Sequence, residues 1–338
     1  MKVNDFDYKL PPKLIAQTPL EKRDESKLMV INRENNTLKH EHFYDILNYF
    51  KKEDVIILND SKVLPARLYG IKEDTMAKIE VLLLKETTED IWEILVKPAR
   101  RVKAGTTVKF SDDLKLEILE VRDKGIAIAK LIYNGILNEI LALLGEMPLP
   151  PYIHEKLEDK DRYQTVYAKN LGSAAAPTAG FHFTNEIIEQ LKHNGVEFIT
   201  ITLHVGLGTF RPVDVDNIED HEMHYETYYL SDESTRLLNE AIKENKKITC
   251  VGTTTLRVLE SNFDGKFTSG LYETNLFIYP GYKFKVVDHL ITNFHLPKST
   301  LLMLVSAFYT KDKILAAYQE AILHNYRFFS FGDAMLIY

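Results

Sequence analysis

Short apolar runs closed by polar turns recur along most of the chain, and many are followed by an amphipathic stretch. The runs 28–32 (LMVIN), 54–58 (DVIIL), 196–203 (VEFITITL), 247–252 (KITCVG) and 276–279 (LFIY) predict strands. Apolar residues at helical spacing predict helices over 185–193, 232–245, 253–260, 301–308 and 312–324. Thr184 opens the first of these and Asn194–Gly195 closes it, while Ser231 or Asp232 caps the second. A short helix opened by prolines is expected over 10–17, and an amphipathic one over 40–49, with Phe43, Ile46, Leu47 and Phe50 on one face. The tail 326–336 reads as a loop leading into a last strand. Strand, polar turn, helix is α/β grammar, in which sites collect at the carboxyl ends of the strands.

Between residues 68 and 145 the texture changes. Five β-rich runs follow at close spacing (77–84, 91–96, 107–110, 114–119 and 126–131), separated by charged turns. The expected fold class is therefore α/β, with a main α/β domain of residues 1–67 and 146–338 interrupted by a small all-β, barrel-like domain of residues 68–145. One turn of this insertion, 97–105 (KPARRVKAG), carries Lys97, Arg100, Arg101 and Lys103 and no acid. A solvated turn would mix signs, whereas clustered cations are the electrostatic footprint of nucleic acid.

Composition narrows the class. The chain has 338 residues, 45% hydrophobic and 27% charged, ample for a large core. A net charge of −7 argues against non-specific coating of nucleic acid but leaves room for a local basic patch. The single cysteine, Cys250, excludes an intramolecular disulfide framework and a cysteine zinc cage. The amino terminus lacks a signal-peptide pattern, and apolar runs such as 301–305 are too short to cross a bilayer. A cytoplasmic protein with no membrane association is expected.

Candidate chemistry sits at the strand ends. Asn59, Asp60 and Ser61 come after a buried run and lead to Arg67. Residues 172–183 (GSAAAPTAGFHF) combine small residues with aromatic ones. That suits tight packing around a flat ligand, with Tyr163, Phe181 or Phe183 as a stacking surface, or equally the packing of a core. His204 and two glycines open the densest stretch, which ends in 221–226 (HEMHYE). There, two imidazoles and two carboxylates within six residues make a plausible acid/base set. Gly252 followed by Thr253, Thr254 and Thr255 at a helix start forms an anion cradle, and Arg257 and Glu260 lie one turn further on. Asn293 and His295 again stand between a strand and a helix start. His221 and His224 are spaced i, i+3 rather than the i, i+4 of the HExxH zinc motif, so no metal is assigned. The remaining set suits a transferase acting on a large polyanion.

Seven stretches carry a family resemblance: 59–67 (NDSKVLPAR), 172–183, 204–212 (HVGLGTFRP), 221–226, 252–260 (GTTTLRVLE), 292–300 (TNFHLPKST) and 331–335 (FGDAM). Together they resemble the S-adenosylmethionine:tRNA ribosyltransferase-isomerase (QueA) family of queuosine synthesis, in the family's order and from Asp5 to the carboxyl terminus. The resemblance implies an α/β domain with an inserted β-barrel. It also implies that the ribosyl part of S-adenosylmethionine moves to the aminomethyl group of a 7-deazaguanine at the tRNA wobble position, giving epoxyqueuosine-tRNA, adenine and methionine. S-adenosylmethionine is then a consumed co-substrate and no cofactor is expected; the partners are S-adenosylmethionine and tRNA, and the chain is expected to act as a monomer. On this reading His204, His221, His224 and Glu226 supply the acid and base. Thr253–Thr255 and Arg257 hold the methionine carboxylate or a tRNA phosphate, and Asp60 reads the amine or a base edge. Asn59, Ser61, Arg67, Thr178, Phe181, Thr209, Arg211, Asn293 and His295 complete the substrate site, and Lys97, Arg100, Arg101 and Lys103 meet tRNA phosphates. A metal-dependent hydrolase built on His221 and His224, and a non-catalytic RNA-binding factor built on the basic insertion, are the competing readings from the residues alone.

Overall fold

The computed structural model describes residues 1–206 and 213–338. The chain divides into two compact units. One comprises residues 1–61, 150–170 and 176–338, and the other residues 62–149 and 171–175. The second unit is wider than the 68–145 expected, because Arg67 already belongs to its first strand and the small-residue segment 171–175 groups with it.

The first unit is built on a mixed nine-stranded sheet. Its strands in chain order are β1 (Lys27–Asn32), β2 (Thr37–His42), β3 (Asp54–Asn59), β4 (Glu197–Leu203), β5 (Glu226–Leu230), β6 (Lys247–Val251), β7 (Gly270–Thr274), β8 (His289–Asn293) and β9 (Ala334–Ile337). They lie side by side in the order β7-β5-β4-β3-β6-β8-β9-β1-β2. The central strands β4, β3, β6 and β8 are parallel, so Leu203, Asn59, Val251 and Asn293 end on one edge of the sheet. Strand β9 runs antiparallel to β8, with Asn293 opposite Ala334. It is parallel to β1, which places the amino end of β1 on that same edge.

Strand β3 shows why the centre forms. All six of its residues are buried, a strand covered on both faces, and each fully buried Val or Ile contributes about 1.5–3 kcal/mol. One face packs against helix α1 (Asn185–His193) and the turn Phe43–Asn48, in a core that includes Ile56, Leu58, Phe43, Ile46, Ile187 and Leu191. Thr184 caps α1 by accepting from the Ile187 amide at 3.2 Å. Helices α2 (Asp232–Lys243), α3 (Thr253–Asn262), α4 (Thr300–Phe308) and α5 (Lys311–Leu323) come later in the chain. Ser231, Ser299 and Thr310 cap α2, α4 and α5, whereas α3 starts at Gly252 with no side-chain cap.

Three local expectations change. Residues 40–49 are not one helix: His40–His42 belong to strand β2, paired antiparallel with β1, and only Phe43–Asn48 coil into a 3₁₀ turn. Its apolar spacing still buries Phe43 and Ile46, so the pattern was right about burial and wrong about the element. Residues 276–279 form no strand; β7 lies earlier, at Gly270–Thr274, where it completes the ladder with β5. The proline-led amino-terminal segment makes only a three-residue 3₁₀ turn, Pro12–Leu14.

The second unit holds a closed antiparallel barrel. Its order is Ile126–Tyr133, Ile91–Lys97, Lys78–Thr88, Arg67–Lys72, Thr107–Lys109, Leu114–Val121, closing back on the first. Burial alternates along Ile91–Lys97, with Trp92, Ile94 and Val96 pointing inward. A helix, Leu137–Leu144, succeeds the last barrel strand; the β-rich texture of this region did not announce it.

Two buried polar positions in the first unit carry stability. Glu260 is fully buried, and its carboxylate accepts from the backbone amides of Lys285, Val286 and Val287 at 2.8, 3.1 and 3.2 Å and from the Tyr282 hydroxyl at 3.1 Å. It therefore holds the 285–287 backbone rather than pairing with Arg257. Glu260→Ala strands the buried Val286 and Val287 donors at about 1–3 kcal/mol each, so denaturant unfolding should show a loss of about 2–6 kcal/mol.

His295 is buried and His289, which opens β8, half-buried; burial pulls their pKa values from 6.5 to about 3 and about 4. Their unfolded forms take up protons first as pH falls. The stability they contribute is complete above 6.5 and is lost progressively as pH drops toward 4 and 3. The melting temperature should fall across that window, and His295→Gln should flatten the slope.

Candidate active site at the carboxyl edge of the sheet

The site begins with a buried side chain that is bonded to backbone on both of its polar atoms. Asn59 ends β3 and is fully buried. Its Nδ2 donates to the Leu203 carbonyl at 3.0 Å, and its Oδ1 accepts from the amides of Leu203 and Ser61 at 3.0 and 3.1 Å. Asn59 ties the end of β3 to the end of β4, next to the residues just beyond both strands.

Directly after β3 stands Asp60. Its carboxylate accepts from Thr202 Oγ1 at 2.7 Å and from Asn170 Nδ2 at 3.0 Å to each oxygen, while Asn170 Nδ2 also reaches Thr202 Oγ1 at 2.9 Å. The Asp60 backbone is held as well, by Ile201, Lys169 and Asn170. Asn170 and Thr202 were not among the expected residues. Thr202 stands in an alternating strand, where a polar residue reads as surface, and Asn170 has no local motif. Ser61 is fully buried.

Directly after β4 stands His204. Its backbone amide donates to the Thr227 carbonyl at 3.2 Å, and its Nδ1 has no hydrogen-bond partner among the described residues. Burial lowers its pKa, partly offset by the charge of Asp60. The result is a neutral imidazole beside a carboxylate, the state a general base requires. Thr209 and Arg211 lie outside the described residues.

The stretch 221–226 does come together in space. Glu226 opens β5 and is 2% exposed; Arg257 of α3 is 4% exposed. Arg257 Nη1 donates to Glu226 Oε2, and Arg257 Nε donates to the Leu276 carbonyl at 2.9 Å. The other Glu226 oxygen lies 3.5 Å from His224 Nε2. His221 packs edge-on against Phe277 at 5.3 Å, and burial followed by the nearby His224 lowers its pKa. Arg257 Nη1 is committed to Glu226, while its buried Nη2 has no hydrogen-bond partner among the described residues. His224 Nε2 likewise has none, so its 3.5 Å approach to Glu226 is a contact and not a hydrogen bond. Truncating either member of the buried Glu226–Arg257 pair leaves an uncompensated charge.

At the start of α3, Thr255 is fully buried and its hydroxyl donates back to the Val251 carbonyl at 2.7 Å, which withdraws it from the expected anion cradle. Gly252, at φ +92°, begins the helix, a conformation that suits glycine. It leaves the uncapped first turn, with Thr253 and Thr254, as the part that can face an anion.

A second polar chain lies on the same sheet edge. Thr178 Oγ1 donates to Asn293 Oδ1 at 3.1 Å. Asn293 Nδ2 donates to His182 Nε2 at 3.2 Å, so His182 carries its proton on Nδ1, 2.7 Å from Ser26 Oγ. His182 is buried and its pKa falls to about 3, through burial and then the charges of Arg23 and Arg327. It was not among the expected residues, although the Phe-His-Phe alternation marked it as a polar group between two core positions. Tyr167 was missed too. Its buried hydroxyl sits 1.9 Å from where a Cβ on Gly180 would lie, so only glycine fits there. Burial raises its pKa, and the charges of Arg23 and Asp60 both act on it.

The other expected positions serve structure. His295 Nε2 lies 2.9 Å from Thr292 Oγ1, its amide donates to Tyr318, and its carbonyl accepts from Tyr8, a core histidine rather than a substrate contact. Phe181 lies between Phe331, Tyr163 and the Arg23 guanidinium. A small open pocket at this point is shared with Ser26 and His182. In the barrel unit, Arg67 lies 3.8 Å from Glu80 and donates to the Leu149 carbonyl at 3.4 Å. Lys97, Arg100, Arg101 and Lys103 are exposed, and no side-chain ion pair involves them among the described residues.

Among the described residues no helix is long and apolar enough to cross a membrane. A model of the family described as "Queuosine biosynthesis protein" matches residues 3–337. A solved structure from Thermotoga maritima, described as an S-adenosylmethionine tRNA ribosyltransferase, is 39% identical to this chain. That alignment covers 99% of this chain and 100% of the other, with a TM-score of 0.58. The match spans both units, including the edge that carries Asp60, His204, Glu226 and Asn293. The chain belongs to the queuosine biosynthesis protein family.

Proposed function

We propose that this chain transfers and isomerises the ribosyl moiety of S-adenosylmethionine onto the aminomethyl group of 7-aminomethyl-7-deazaguanine at the tRNA wobble position, releasing adenine and methionine and leaving epoxyqueuosine-tRNA. The observation that carries this reading is the family match over residues 3–337, joined by 39% identity to a tRNA ribosyltransferase across 99% of the chain. S-adenosylmethionine is spent in the reaction, and no resident cofactor enters it. On this reading the enzyme works as a monomer in the cytoplasm, where it meets its tRNA substrate.

The reaction needs a base for the proton beside the sulfonium, an acid near departing adenine, and a neutral amine. His204 suits the first task, because burial keeps it unprotonated near neutral pH. His224, 3.5 Å from Glu226, suits the second, and His221, whose pKa burial lowers, stands near it as a neutral imidazole. Asp60, held by Thr202 and Asn170, suits recognition of the amine. The first turn of α3 suits the methionine carboxylate.

With S-adenosylmethionine and tRNA carrying the aminomethyl-deazaguanine, adenine release should rise with enzyme concentration. His221→Ala and His224→Ala should each lower it by about 10²–10⁴-fold while leaving the melting temperature nearly unchanged. Full turnover in both variants would remove them from the chemistry.

The basic turn supports a second expectation. Reversing the charge of Arg100, Arg101 and Lys103 should weaken tRNA binding and reduce the slope of log K against log salt by about 0.7–0.9 per lost contact. Unchanged affinity would put tRNA docking on another surface.

A further inference from the structure

A separate cluster of ligating side chains stands at the far edge of the main sheet, on β2 and the carboxyl end of α5. His40 Nε2 lies 3.6 Å from Glu320 Oε1; His324 Nδ1 lies 3.2 Å from the same oxygen and donates to the Glu320 carbonyl at 3.0 Å, a bond it gives up to bind an ion. One donor atom from each of the three residues falls within 4.8 Å of the other two. Bonds of about 2.0–2.1 Å in a tetrahedral site separate neighbouring ligand atoms by about 3.3 Å, close to both measured edges. The two rings stack at 4.2 Å with their planes 23° apart, so binding turns one ring out of the stack to bring both in-plane lone pairs onto the ion.

Glu320 stands in the last turn of α5 and His324 caps it, at the negative end of the helix dipole, which Lys27 partly offsets. His40 Nδ1 lies 2.8 Å from the Tyr326 hydroxyl, so a proton donated there leaves Nε2 as a lone pair aimed at Glu320. Lys27 already satisfies the carbonyls of His324 and Asn325, at 2.7 and 3.2 Å, so the side chains alone provide the donors. A groove of about 650 Å³, lined also by Leu38, Tyr309, Lys313 and Ala317, opens beside the three residues and leaves a fourth position for water.

We infer that His40, Glu320 and His324 bind one divalent transition-metal ion of zinc's class, which clips the edge strand β2 to helix α5. Two imidazoles and one carboxylate match the borderline donor set of zinc. The ligands come from opposite ends of the chain, so the ion binds the folded chain and not the unfolded one, and it covers an exposed sheet edge.

The test uses the full chain desalted after equimolar Zn²⁺, with Co²⁺ as a spectroscopic probe. One equivalent should be retained, Co²⁺ should give the visible bands of a four-coordinate site, and Zn²⁺ should raise the melting temperature. His40→Ala and His324→Ala should abolish all three effects while adenine release continues unchanged. Tyr326→Phe should weaken binding by about tenfold. Retention of no ion by the wild type, or equal retention by both histidine variants, overturns the inference. Retention lost only in a His221→Ala, His224→Ala double variant overturns it as well, by assigning the ion to that pair.

Discussion

The amide of Asn59 is the constraint on which the edge of the sheet depends. Two parallel strands delivered side by side by hydrophobic burial can slip or fray at their ends. Asn59 prevents that by bonding both backbone groups of Leu203 and the amide of Ser61 from one buried side chain. Its three bonds set where β3 and β4 stop, and so where Asp60 and His204 emerge. A buried amide satisfied in this way costs little, whereas the same amide left without partners would cost several kcal/mol. Position 59 is therefore closed to substitution by any residue that cannot both donate and accept.

Around that edge, charge is held rather than exposed. Asp60 is bonded by Thr202 and Asn170, and Glu226 by Arg257. Burial also lowers the pKa values of His182, His204 and His221. Polar groups fixed before a ligand arrives need little reorganisation during reaction, and that is where electrostatic catalysis gains most. The barrel unit shows the opposite regime, with an exposed basic turn whose cations remain available to a polyanion.

The unit organisation obeys the same physics. A closed barrel removes its own edges, so its six strands pair with one another all the way round. The open main sheet cannot do this. Its two outer strands, β7 and β2, remain as edges, and the histidine-carboxylate cluster lies at the second of them.

Much of this was legible in the sequence, and the limit has a physical cause. Local pattern determined the two textures, the central strands, the capped helices from Thr184 and Ser231, and the strand ends as the place for chemistry, because burial periodicity and capping act over a few residues. The length and order of the motifs determined the family. Tertiary structure decided what each polar side chain does. Asn59, Thr255 and His295 looked like ligand contacts and are spent on backbone or core partners. Arg257 looked available for an anion and faces Glu226 across 31 residues of chain. Asn170, Thr202, His182 and Tyr167 carried no local signal strong enough to select them. A hydrogen bond depends on which groups converge in space, and that convergence is decided by strand order and register, which no single stretch of sequence contains.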